Sequence, residues 1–63
     1  MCEATAFLIK NGQEEMFLEK VDRIIPKEND ELLLEDIFGE RRILKARIKE
    51  MSLVNHKIIL EEI

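Results

Sequence analysis

Sixty-three residues carrying a formal net charge of −4 make one small domain, with 46% hydrophobic and 38% charged residues to build a core and keep it soluble. A chain this short hides only about 60% of the surface it exposes when unfolded. Domains of this size often draw on a disulfide, a metal or a second subunit, and the single Cys excludes a disulfide within the chain.

In chain order, the first punctuation is Asn11-Gly12 between two apolar-rich runs. Both residues tolerate the positive φ of a type I′ turn, so the pair predicts a hairpin. Its first arm, Ala4 to Lys10, alternates, with Ala4, Ala6 and Leu8 on one face and Thr5, Phe7 and Ile9 on the other. The second arm, Gln13 to Val21, puts Met16 and Leu18 on one face, then slips phase to reach Val21. A bulge near Lys20 accounts for the slip. Pro26 and the polar run Lys27-Glu28-Asn29-Asp30 mark a loop, after which Glu31 to Phe38 reads as a short strand stopped by Gly39.

The segment 40–51 has two readings. As a helical turn it puts Leu44, Ile48 and Met51 on one face, and nearly every residue is a good helix former. As a strand it turns Leu44, Ala46 and Ile48 inward and Lys45, Arg47 and Lys49 outward, a period of two. The tight connection Val54-Asn55-His56-Lys57 favours the strand, paired from Ile43 to Leu53 with a last strand from Lys57 to Glu62. The expectation is an all-β, five-stranded antiparallel barrel-like domain over residues 1–63, a shape that hides most strand edges.

Most catalytic constellations are missing. Gly12 and Gly39 are the only glycines, so there is no Gly-rich phosphate loop. The one Cys and the one His lie at opposite ends of the chain, and no four-ligand zinc pattern exists. An enzyme is the weakest class. The acidic pairs Glu14-Glu15, Glu35-Asp36 and Glu61-Glu62 lack the ligand spacing of a calcium loop and read as a solvated charged face. No run approaches the roughly 20 apolar residues of a membrane span. The opening Met-Cys-Glu-Ala-Thr has no basic or apolar region of a secretory leader, and a lone thiol suits a reducing compartment, so the expected location is the cytoplasm.

Arg41, Arg42, Lys45, Arg47 and Lys49 hold five of the ten basic side chains. On a strand, Arg41, Lys45, Arg47 and Lys49 project from one face, a stripe suited to a phosphate backbone. Net charge and the scarcity of aromatics weigh against it, because single-strand readers add stacking platforms to charge. Pairing with Glu on a neighbouring strand is the simpler role.

Cys2 differs by its place beside the α-amine. With Met1 kept, the α-amine, the Cys2 amide nitrogen and the Cys2 thiolate are three donors in one dipeptide. With Met1 removed, amine and thiolate close a five-membered chelate on Cys2 itself. Thiolate with nitrogen suits Ni(II) or Cu(II), and thiolate also draws Zn(II). One chain leaves such a site incomplete, and a two-fold dimer supplies a second Cys2. A lone Cys is otherwise a small buried hydrophobe with no function, and the residue pattern by itself favours that role over metal binding.

The opening Met-Cys-Glu-Ala-Thr-Ala-Phe-Leu-Ile-Lys resembles the start of the CooT-type nickel-binding family. The similarity continues through Glu14-Glu15, Leu18 to Asp22, Ile37 to Glu40, Lys45 to Met51 and Val54 to Leu60, nearly the whole chain. The resemblance implies a small β-barrel that dimerises and binds nickel through Cys2, in one branch supplying nickel to carbon monoxide dehydrogenase. The wider family also carries a predicted RNA-binding label. His56, the one imidazole, is a further candidate nitrogen ligand, although a turn His meeting only water is the expected state.

Overall fold

The computed structural model describes residues 3–63, five strands and, among the described residues, no helix. Strand β1 is Ala4–Lys10, β2 Gln13–Pro26, β3 Glu31–Asp36, β4 Arg41–Ser52 and β5 Lys57–Glu62. They pair in sequence order, and β5 returns to β1 to close the ring. Each consecutive pair is antiparallel, whereas β1 and β5 run parallel, with Thr5 opposite Lys57 and Leu8 opposite Leu60. An up-and-down meander of five strands ends pointing the way it began, so ring closure makes its last pair parallel. That parity sets the start of β1 beside the start of β5.

Asn11 and Gly12, with φ of 52° and 76°, form the two-residue turn that joins Lys10 to Gln13. The expected bulge is present: three residues of β1, from Ala4 to Ala6, face four of β2, from Leu18 to Val21. Lys20 sits in it with φ of 56°, and its carbonyl accepts from the Ile37 amide at 3.0 Å.

Two further irregularities were not legible in the residue pattern. One falls at Phe17, where Ala6 pairs with Leu18 but Phe7 with Met16. It reverses the face on which Met16 lies, so Met16 is 59% exposed instead of sharing the inward face of Leu18. The other, at Asp22, separates the Val21–Asp36 and Arg23–Glu35 pairs. These extra residues coil β2, whose first half pairs with β1 and whose second half runs on to Pro26 against β3. Pro26 can close the strand because its position at the end needs no ladder donor.

The segment 40–51 is a strand, and the helical turn does not form. Leu44 and Ala46 turn inward opposite Leu32 and Glu62, and both neighbouring strands supply ladder bonds that a helix forgoes. Ile48, expected inward, is exposed. It pairs with the buried Leu60 and so shares its face, but stands 38% exposed next to a bulge between the Ile48–Leu60 and Glu50–Ile59 pairs.

Strand β3 stops at Asp36, two residues before the expected end. The buried Asp36 carboxylate accepts from the amides of Phe38 at 2.9 Å and Glu40 at 2.8 Å, bending the chain into a turn completed by Gly39 at φ 90°. All five strands feed one core: Ala6, Leu8, Leu18, Val21, Leu32, Leu34, Ala46, Ile58 and Leu60. No helix among the described residues is long and apolar enough to cross a membrane.

Candidate metal site at the chain start

The closure of β5 on β1 sets the turn before β5 beside the start of β1. The backbone amide of Thr5 donates to the carbonyl of His56 at 2.9 Å. Nδ1 of His56 in turn lies 3.2 Å from the carbonyl oxygen of Glu3. A carbonyl only accepts, so the proton in this bond sits on Nδ1. The imidazole is thus held against the residue covalently joined to Cys2, instead of meeting only water. Met1 and Cys2 themselves lie outside the described residues.

His56 has a left-handed backbone, with φ of 52°, at the end of the turn that leaves β4. The turn is braced by Asn55, whose Nδ2 donates to Ser52 Oγ at 3.0 Å. Leu53 and Val54 at its tip are 82% and 89% exposed. Between the turn and the start of β1 lies a recess of about 160 Å³, lined by Glu3, Ala4, Ser52, Leu53, His56, Lys57 and Ile58. Among the described residues, no group of three or more His, Cys, Asp or Glu is placed to hold a metal ion.

Of the acidic pairs, Glu14, Glu15 and Glu62 lie on the solvated face expected, whereas Asp36 is buried, and four of the six have partners within the fold. Glu14 Oε1 is 2.8 Å from Lys57 Nζ and Glu61 Oε1 is 3.0 Å from Arg47 Nη2. Asp36, 7% exposed, holds the β3–β4 turn. Glu35 accepts from Arg41 Nε at 2.9 Å and from Arg23 Nη1 at 3.2 Å.

Arg41's hydrogen bond, helped by its charge and by Arg23, holds the Glu35 carboxyl below its ordinary value of 4.5. A depressed carboxylate stabilises the fold above its unfolded pKa, and the effect is lost as pH falls through the folded value. Glu35→Gln should therefore unfold at lower urea than the parent at pH 7, and the gap should close on acidification below about pH 4.5. Paired urea titrations across that range check it.

All four residues of the basic stripe are exposed on β4, but two are spent on cross-strand pairs. Arg41 bonds to Glu35 and Arg47 to Glu61, while Lys45 stands opposite Glu31. Each of the three Phe rings also carries a cation of its own chain over its face: Lys57 at 4.9 Å from Phe7, Arg42 at 5.5 Å from Phe17 and Lys20 at 5.3 Å from Phe38. The aromatic faces an RNA strand would stack on are already in use. Cross-strand pairing is the role the geometry supports for Arg41 and Arg47.

Comparison with known proteins agrees with this architecture. The sequence profile of the family described as CO dehydrogenase accessory protein CooT matches residues 1–61. The crystal structure of a candidate CooT from Carboxydothermus hydrogenoformans superposes with a TM-score of 0.90 at 53% identity, covering 98% of both chains. A protein of unassigned function from Archaeoglobus fulgidus is 46% identical over 44 residues, which is 70% of this chain and 96% of that one. With a profile match across nearly its whole length and a close structural relative sharing half its residues, the chain belongs to the CooT family of CO dehydrogenase accessory proteins.

Proposed function

We propose that this protein is a nickel-binding accessory module, a metallochaperone-like component of a nickel-enzyme maturation system in the cytoplasm and not itself an enzyme. Ni(II) is the cargo, held by the Cys2 thiolate and the N-terminal nitrogens, the Met1 backbone nitrogen among them. The working unit is a homodimer. The observation that carries this reading is membership of a CO dehydrogenase accessory family over residues 1–61, in a chain whose one thiol stands at position 2.

The chemistry of the donors fits. A thiolate beside nitrogen donors suits a tetragonal Ni(II) or Cu(II) centre, and the same thiolate makes Zn(II) a competitor. In this reading the one thiol of the chain, Cys2, is the residue on which binding depends. The exposed Leu53 and Val54 lie on the same turn as His56. They are the apolar surface two copies would bury to bring their chain starts together.

Adding Ni(II) to reduced, untagged protein should produce a thiolate-to-nickel charge-transfer band that saturates at a defined ratio of metal to chain. No such band at any ratio would remove the proposal. An N-terminal extension should weaken binding, because it takes away the α-amine.

A further inference from the structure

Strand β2 is 14 residues long, and its two sides are not filled over the same stretch. β1 pairs with it from Gln13 to Val21, whereas β3 pairs only from Val21 to Pro26. Among the described residues, the side of β2 facing away from β1 therefore carries no strand from Gln13 to Lys20. In a two-residue hairpin the residues flanking the turn, here Lys10 and Gln13, form a hydrogen-bonded pair, and bonded and non-bonded pairs then alternate. Leu8 and Glu15 are again a bonded pair, so Glu14 and Met16 aim their N–H and C=O groups at the open side. The first bond made there is at Lys20, whose carbonyl accepts from Ile37.

A groove of about 330 Å³ runs along this side, with Met16, Phe17, Glu19, Phe38 and Arg42 in its lining. Met16 is 59% and Phe38 76% exposed. Free backbone groups beside apolar side chains are what an added strand recognises, the first giving affinity and the second selectivity. Charge selects the occupant. Gln13 to Glu19 carries three carboxylates and no cation. Glu14 is bonded to Lys57, but no ion pair of the described residues takes up Glu15 or Glu19. The cations of the groove are engaged: Arg42 bonds to Glu40 at 3.0 Å, and Lys20 stands 5.3 Å from the centre of the Phe38 ring. A second copy of β2 would bring the same three carboxylates against these, and a nucleic acid would bring phosphates, so neither fits.

We propose that the open side of β2, from Gln13 to Lys20, is a docking edge for an extended, Lys- or Arg-bearing segment of another protein. The segment adds as a strand to Glu14 and Met16 and seats an apolar side chain against Phe38. The edge begins at the Asn11-Gly12 turn, the end of β1 remote from the chain start, and so stands apart from the reading of Cys2.

Selection of a phage-displayed library of random peptides on the intact protein should enrich sequences that alternate apolar residues with Lys or Arg. Amide hydrogen exchange then reads the geometry. In the free protein the Glu14 and Met16 amides should exchange about tenfold faster than that of Glu15, which is bonded to Leu8. An enriched peptide, synthesised and added, should slow both by about tenfold. Phe38→Ala, at an exposed position, should keep the melting temperature and weaken that peptide about tenfold. Glu19→Lys should weaken it too, and the same peptide with its Lys and Arg replaced by Glu should not bind the parent protein. No enrichment, unchanged exchange at Glu14 and Met16 with peptide bound, or equal binding of the acidic peptide would overturn the proposal. Protection of those two amides that grows with the concentration of the protein alone would assign the edge to a second copy, and would overturn it as well.

Discussion

Cys2→Ser should abolish the nickel charge-transfer band and lower Ni(II) affinity by several orders of magnitude, with an unchanged urea midpoint. The band arises from thiolate sulfur, and only the deprotonated thiol is a strong ligand. A serine hydroxyl stays protonated near neutral pH and offers a hard oxygen, which Ni(II) beside nitrogen donors takes poorly. The core of the described residues, Ala6 to Leu60, draws on every strand. A band of parental intensity in Cys2→Ser would show that the nickel donor lies elsewhere. A lowered urea midpoint would show that Cys2 serves the fold.

The second large effect is expected at the centre of the barrel. Leu34 is fully buried, at 0% exposure, on a six-residue strand flanked by two longer ones. Its truncation to Ala removes three carbons and leaves a void that a closed ring has little freedom to collapse, a cost of about 3 kcal/mol. A domain of this length holds roughly 3–9 kcal/mol in all. Leu34→Ala should therefore lower the melting temperature by on the order of 12–24 °C. Ile43→Ala is the control: it removes a comparable side chain from the outer face, where Ile43 is 61% exposed. It should cost less than about 1 kcal/mol. Equal melting temperatures for the two variants would contradict the interior assigned to β3.

Much of this architecture can be read from local chemistry. Asn11-Gly12 announces its turn because both residues accept positive φ. The phase slip from Leu18 to Val21 announces the bulge at Lys20, because a strand keeps period two unless a residue is inserted. The irregularities at Phe17 and Asp22 leave no such mark. Phe17 is apolar in either orientation, and Asp22 sits between positions whose pattern also suits a strand end. Helix propensity across 40–51 loses to tertiary context, since β3 and β5 both pair with that segment.

The candidate site divides along the same line. Cys2 is conspicuous in the sequence as its single thiol. The approach of His56 to Glu3 spans 53 positions, and no residue spacing encodes it. Strand parity does encode it: five up-and-down strands closing into a ring must lay the start of the last beside the start of the first. Asp36 was hidden for a different reason. A carboxylate next to Glu35 reads as surface charge until the turn Ile37-Phe38-Gly39 bends two amides onto it. The Asp placed just before that turn is the signal that was available.

The most direct test of the account is native mass spectrometry of reduced, untagged protein titrated with Ni(II), alongside Cys2→Ser under the same conditions. The account predicts stoichiometric nickel adducts on the parent protein, on a homodimer, and none on the variant. Parent protein that stays metal-free, or a variant that loads nickel equally well, would contradict it.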